Sequence, residues 1–210
     1  MELQRLEALA EKYMGHRKSH IEREIGHVYF HGKRVANGVL LLRKKLFPED
    51  ASHDDVLFCA GLFHDVGKGI EPHPRTGSTL VRELLCGEMT PEEMEAVCGL
   101  IAVHDDRRAD SPHSPWVKLL QDADLLDHFG IQGVWLSFTY YAYMGQKGMS
   151  ELPEFYETEW KPMVAKNRKL LNFPFSREIF DEKTTYEWSV IQRLKEEGTG
   201  AYLERTLQSL

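Results

Sequence analysis

The sequence predicts an all-helical protein, a packed bundle of many helices rather than an up-and-down coiled coil. Apolar residues recur at three- and four-residue spacing through most of the chain, and no segment sustains the alternation of a half-buried strand. The apolar pattern also never settles into a long heptad. Asn37-Gly38, the one Asn-Gly pair, sits inside a helical run rather than between two alternating segments, so it makes a poor hairpin turn.

Taken in order, Leu3, Leu6, Leu9 and Ala10 predict an amphipathic helix over 2–14, ended by Gly15. A second helical stretch is expected from Ser19, with Ile21 and Ile25 on one face and Gly26 breaking it. From His27 to Phe47, the residues Val28, His31, Val35, Leu42 and Leu46 mark the next helix, which Pro48 stops. His27 and His31 then lie one turn apart on one face. Ser52 with Asp55 three positions on resembles a polar helix start, and Val56, Leu57, Ala60 and Leu62 carry that helix toward His64. Gly67 and Gly69 loosen the chain, and Glu71-Pro72-His73-Pro74 predicts a turn or loop, because each proline constrains itself and its predecessor. A short helix is expected from Gly77 to Cys86.

Thr90-Pro91-Glu92-Glu93 is the clearest start signal: Thr90 caps, Pro91 takes the first helical position and Glu93 completes a capping box. That helix carries Met94, Val97, Ile101 and His104. Asp105 to Pro115 has four consecutive charged residues and two prolines, which predicts an exposed loop. A helix from about Trp116 through Leu126 follows, then aromatic-rich Phe129 to Met144, mixed Glu154 to Leu171, and Glu178 to Leu210 with Val190, Leu194, Leu203 and Leu207.

The 210 residues suit one helical domain. With 42% hydrophobic residues, 28% charged residues and a net charge of -7, the chain is ordinary for a soluble protein and argues against general nucleic-acid binding, which needs clustered cations. Gly38-Val39-Leu40-Leu41-Leu42 is the most apolar run, and Arg43-Lys44-Lys45 ends it far short of a membrane span. Charges at Glu2, Arg5, Glu7, Glu11 and Lys12 interrupt the apolar stretch a signal peptide would need, so a cytoplasmic location is expected. Cys59, Cys86 and Cys98 lack CxxC spacing and read as reduced core thiols.

Function is read first from Gly61-Leu62-Phe63-His64-Asp65-Val66-Gly67-Lys68. An apolar helix end cannot bury an imidazole and a carboxylate without partners, and a metal ion satisfies both. Further donors stand at His27, His31, His73, His104 and Asp124. Consecutive helical residues diverge by roughly 100°, so His64 and Asp65 face one ion only where the helix end bends, or else straddle two.

The ordered set of His31 in HGKRV, His64-Asp65 in LFHDVGK and Asp124 in LQDADLLD resembles the HD superfamily of metal-dependent phosphohydrolases. The resemblance covers about residues 20–130, an HD core followed by a helical extension over 131–210. It implies a compact multi-helix HD bundle, and a first ion held by His31, His64, Asp65 and Asp124. His73 in HPRTG and His104 in AVHDD resemble added ligands of the two-metal form, a reading of equal weight with roles as phosphate-contacting acids or satisfied surface histidines, while His27 stands where that form carries a carboxylate. No GYP triplet follows His104, which departs from the cyclic-dinucleotide branch.

The implied activity is hydrolysis of a phosphomonoester or nucleotide phosphate by a metal-activated water, with one or two ions of Mn, Fe, Ni, Co, Mg or Zn. The alternatives are a diiron oxygenase on the same scaffold and a non-catalytic nucleotide sensor. The expected partner is a small phosphorylated substrate, a nucleotide above all, with no membrane; a homodimer is left open. Asp65 is placed to bridge ions or orient the attacking water, and Lys68 to contact phosphate. Arg34 has two readings of equal weight, a phosphate contact and the partner of a buried acid. Arg107 and Arg108 are expected in a solvated loop with Asp105, Asp106 and Asp110. Asp122 and Asp127 read equally as ligand supports and as helix-surface acids. Trp135, Tyr140, Tyr141 and Tyr143 are expected in the core rather than on a base-stacking shelf.

Overall fold

The computed structural model describes residues 1–108, 112–144 and 151–208, and among these every regular element is a helix. The helices are α1 (Leu3–Met14), α2 (His27–Leu46), α3 (Asp54–Phe63), α4 (His73–Leu84), α5 (Pro91–Ala102), α6 (Pro115–Asp127), α7 (Ile131–Met144), α8 (Leu152–Phe155), α9 (Lys161–Arg168), α10 (Pro174–Thr199) and α11 (Ala201–Gln208). A single π-helical turn, Tyr156–Trp160, joins α8 to α9. Asp110 and the predicted helix end at Leu210 lie outside the described residues. No helix among those described is long and apolar enough to cross a membrane.

α3 is the centre of the bundle. Every residue from Leu57 to Phe63 is buried, and a helix that is apolar all round must be enclosed on all sides. α2, α5, α6 and α1 pack around it. Asp54 and Asp55 in the first turn of α3 suit the positive end of its dipole, and Arg43, Lys44 and Lys45 in the last turn of α2 suit the negative one. α2 lies close against α3 because Gly32 abuts the Leu62 carbonyl and Gly61 abuts the Ala36 backbone; a side chain at either glycine would push the helices apart. That close approach brings His31 to the end of α3.

Four boundaries differ from the sequence expectations. The stretch from Ser19 is turns and bends, with Ile21 and Ile25 exposed at 68% and 65%, and Gly26 starts α2 from a left-handed conformation instead of ending a helix. The polar start of α3 falls at His53, because the Ser52 hydroxyl donates to Asp50. α4 begins at His73, with Pro74 in the first turn, where a missing N–H costs nothing. Gly200, left-handed at φ 77°, divides the last predicted helix into α10 and α11. The capping box of Thr90 and Glu93 forms as expected. Cys59 and Cys98 are buried, but Cys86 is exposed.

α10 returns against α6 and α7, and Tyr141, Leu152, Tyr156, Trp160 and Ile191 make a second small core there. Asp122 anchors this return. Its buried carboxylate accepts from the Asn172 backbone N–H (2.8 Å), the Phe173 N–H (3.1 Å) and the Asn172 amide (2.8 Å), fixing the chain just before α10.

Candidate metal centre

α3 ends at Phe63, so His64 and Asp65 emerge from the most deeply enclosed helix into a turn. His64 is fully buried and Asp65 is 6% exposed. Gly67 permits the turn, since its backbone lies against the His73 carbonyl and Gly77 of α4. Arg17 holds it from outside, donating to the carbonyls of Val66 and Lys68 (2.9 Å to the latter). α2 then supplies His31, α6 supplies Asp124, and the first residue of α4 supplies His73.

Three imidazoles are aimed by the same device. His64 Nδ1–H donates to the Gly61 carbonyl (2.8 Å), His104 Nδ1–H to the Ile101 carbonyl (2.8 Å), and His31 Nδ1–H to Asp127 Oδ2 (2.7 Å). Each bond fixes the tautomer and turns Nε2 inward as the free donor atom. His31 Nε2 and His64 Nε2 lie 3.1 Å apart, and Asp124 Oδ1 is 3.2 Å from the first and 3.6 Å from the second. Two inward lone pairs at that distance repel unless a proton or a cation lies between them. Asp124 Oδ1 is buried without a hydrogen bond. Donors roughly 2.0–2.2 Å from a shared ion sit roughly 2.8–3.6 Å from one another, so this set fits one divalent ion. Without an ion a proton fills the role: burial pushes His31 down, but Asp124, Asp127 and Asp65 outweigh it and raise its pKa to about 10.

Asp65 faces both ways. Its Oδ2 is 4.0 Å from His31 Nε2, while its Oδ1 is 3.5 Å from His73 Nε2 and 3.6 Å from His104 Nε2. His31, His64 and Asp65 form one donor group, Asp65, His73 and His104 another, and His64, His104 and Asp124 a third that overlaps both. Burial pushes the Asp65 and Asp124 carboxyls up. His64, His104 and Lys68 overcome that at Asp65, and Arg107 with the histidines at Asp124, holding both well below the usual carboxylate range.

The structure does not bring His27 into any of these groups. Its ring stacks on His31 at 6.0 Å, and its Nδ1 bonds Glu24 Oε1 (2.9 Å) one turn outside the cluster. Asp105 is exposed and also stands apart. Lys68 Nζ lies 3.5 Å from both Asp65 and His73. Arg34 is turned away from the donors: its guanidinium forks onto Asp127 (Nε–Oδ1 2.8 Å, Nη2–Oδ2 2.9 Å), the acid that aims His31. Arg107, expected in a solvated loop, is instead only 17% exposed and donates to Asp124 Oδ2. Arg108 is exposed and pairs with Asp106. His128 was not foreseen; it follows Asp124 by one turn and places Nε2 3.3 Å from Asp124 Oδ1.

A family model described as the HD domain matches residues 28–128, the span from the residue after His27 to His128. Residues 28–128 form an HD domain. Its fold is similar to the crystal structure of Bacillus subtilis YpgQ in complex with ADP, at 20% identity and TM-score 0.64, over 92% of this chain and 93% of that one. An HD-superfamily hydrolase from Bacillus thuringiensis is similar at 22% identity and TM-score 0.62, over 95% and 99% of the two chains. A Lactobacillus plantarum protein matches at 19% identity and TM-score 0.63, over 94% and 97%. No curated protein sequence matches the chain.

A cavity of about 610 Å³ adjoins the cluster through Arg107 and His128, both of which contact Asp124. Arg107 and His128 line it beside the donors; Tyr140, Tyr141, Phe155 and Trp160, all beyond residue 128, form an aromatic wall. The aromatic run is therefore not simply core: Tyr141 is buried, but Trp135, Tyr140 and Tyr143 are 51%, 42% and 52% exposed. Glu187, also lining the cavity, accepts from Gly130 N–H (2.8 Å), Tyr156 Oη (3.0 Å) and Trp160 Nε1 (2.9 Å). Burial outweighs those bonds and raises its pKa from 4.5 to about 7. The folded state thus takes up a proton between those values, and stability falls as pH rises through them, by up to about 3 kcal/mol. Urea unfolding at pH 5 and pH 8 should show wild type losing stability relative to Glu187→Gln across that step. A constant difference between the two proteins would remove the assignment.

Proposed function

We propose that this HD-domain protein is a metal-dependent phosphohydrolase acting on a small phosphate ester, with a nucleotide as the best substrate class. The observation that carries the reading is the juxtaposition of the donor cluster, two cations at its edge and an aromatic cavity large enough for a nucleoside. The complex of the B. subtilis relative with ADP supports the nucleotide.

In this reading His31, His64, Asp65 and Asp124 hold the first ion, and Asp65, His73 and His104 a second. A bound divalent ion supplies a water acidified toward neutral pH and positive charge for the phosphoryl group. The protein supplies the rest. Lys68 meets the phosphate as a point charge, and Arg107, anchored on Asp124, adds charge on the cavity side. Asp65 orients the attacking water between the two donor groups. Arg34 acts through Asp127 and His31. Tyr140 and Tyr141 face the leaving group.

The test is elemental analysis joined to a phosphate-ester panel that includes nucleoside mono-, di- and triphosphates, with Mn, Co, Ni, Mg and Zn each supplied. Hydrolysis with about two ions per chain is expected, and His73→Ala should bind one fewer. Nucleotide binding without turnover would replace the enzyme with a sensor. An oxygen-reactive iron pair that leaves every ester intact would replace it with an oxygenase.

A further inference from the structure

The geometry points to His128 as a further metal ligand in this protein, a third imidazole on the first ion. The inference rests on the reading that His31, His64 and Asp124 hold that ion. Asp124 Oδ1, buried and without a hydrogen bond, is met by three Nε2 atoms: His31 at 3.2 Å, His128 at 3.3 Å and His64 at 3.6 Å. All three separations match the spacing of donors around one small ion, roughly 2.8–3.6 Å. His31, Asp124 and His128 form a donor group of their own, and the His31 and His128 rings lie 4.9 Å apart.

Position in the fold explains how His128 reaches the centre. It caps the C-terminal end of α6, one turn after Asp124, so both residues project from the same face. Its side chain is 42% exposed and lines the cavity, whereas His31 and His64 approach from the buried side. His128 would thus meet an ion there from the cavity side. A third imidazole also changes which ion the site prefers. Imidazole suits zinc, iron and nickel, while magnesium favours carboxylate, carbonyl and water. With His128 engaged, the first site selects the former ions over magnesium.

The experiment compares wild type with His128→Ala, His128→Gln and His64→Ala, each stripped of metal. Zinc, cobalt and magnesium affinities are measured by chelator competition, and the visible spectrum of the cobalt form is recorded. Glutamine keeps an N–H donor that reaches Asp124 but is a poor ligand. Expected are a loss of about tenfold or more in zinc and cobalt affinity in both His128 variants, an altered cobalt spectrum, and unchanged magnesium binding. Wild-type zinc affinity in His128→Gln, with loss only in His128→Ala, would make His128 a support for Asp124 and overturn the proposal. Wild-type affinity in both would overturn it too. If His64→Ala also binds as wild type does, the first-site reading itself fails. Thermal melts without metal check that the exposed position leaves the fold unchanged.

Discussion

His64→Ala is expected to bind no ion at the first site and to retain less than about one thousandth of the phosphohydrolase rate, the several kcal/mol that a catalytic ion contributes to the transition state. His64 belongs to two of the donor groups, so its loss weakens both ends of the cluster. No neighbour replaces it: its Nδ1 is tied to the Gly61 carbonyl at the end of α3, and the nearest imidazoles have their own Nδ1 bonds elsewhere. The consequence for stability depends on metal. In chelator the variant leaves a void at a fully buried position and loses the 3.1 Å hydrogen bond to protonated His31, so its melting temperature should fall. With zinc or manganese the wild type should melt higher, by linkage, and the variant should not. Elemental analysis after dialysis, melting curves with and without metal, and turnover on a responsive ester measure all three. Full metal content or undiminished turnover in His64→Ala would remove the residue from the centre.

The legible part of the molecule was the part governed by local chemistry. Thr90 and Pro91 announce α5 because capping is satisfied within four residues, and α3 announces its burial because it has no polar face. His64 and Asp65 stand out locally, because an acid and an imidazole at an apolar helix end demand partners, whereas His31, His73, His104 and Asp124 were singled out by the resemblance of their motifs to the HD superfamily. What escaped was set by long-range packing. The Ser19–Gly26 segment has helical periodicity, yet Ile21 and Ile25 find no neighbour to bury them. His27 shares a face with His31 but lies one turn too far back, and a repeat cannot show where along a helix the partner helices cross. Arg17 and Arg107 act across 49 and 17 residues of sequence, and no local signal links them to the turn or to Asp124. His128 did have a signal, its four-residue spacing from Asp124 on one helix face, and the same spacing argument that paired His27 with His31 applies to it with the better result.

Asp127→Ala should weaken metal affinity about 10- to 100-fold without abolishing activity, and excess metal should restore turnover, which it cannot do for His64→Ala. Asp127 stands outside the donor groups; it accepts the His31 Nδ1–H at 2.7 Å and the Arg34 fork at 2.8 and 2.9 Å. Burial pushes its carboxyl up, but His31 and Arg34 together hold it below the ordinary range, so the pairing persists at neutral pH and is lost only under strong acid. Removing it frees the His31 ring to turn and to exchange tautomers, and leaves Arg34 unpaired beside a cationic centre. Asp127→Asn keeps one acceptor for His31 and should recover much of the affinity. The same residue decides the role of Arg34. If Arg34 works only by fixing Asp127, then Arg34→Ala lowers metal affinity on its own and adds nothing to Asp127→Ala, because both changes break one chain of contacts. If Arg34 reaches the phosphate instead, the double variant should raise KM beyond Asp127→Ala at saturating metal. The bidentate geometry favours the first outcome: both hydrogen-bonding edges used by the fork point at Asp127, and turning either toward a substrate would release His31 from its orientation.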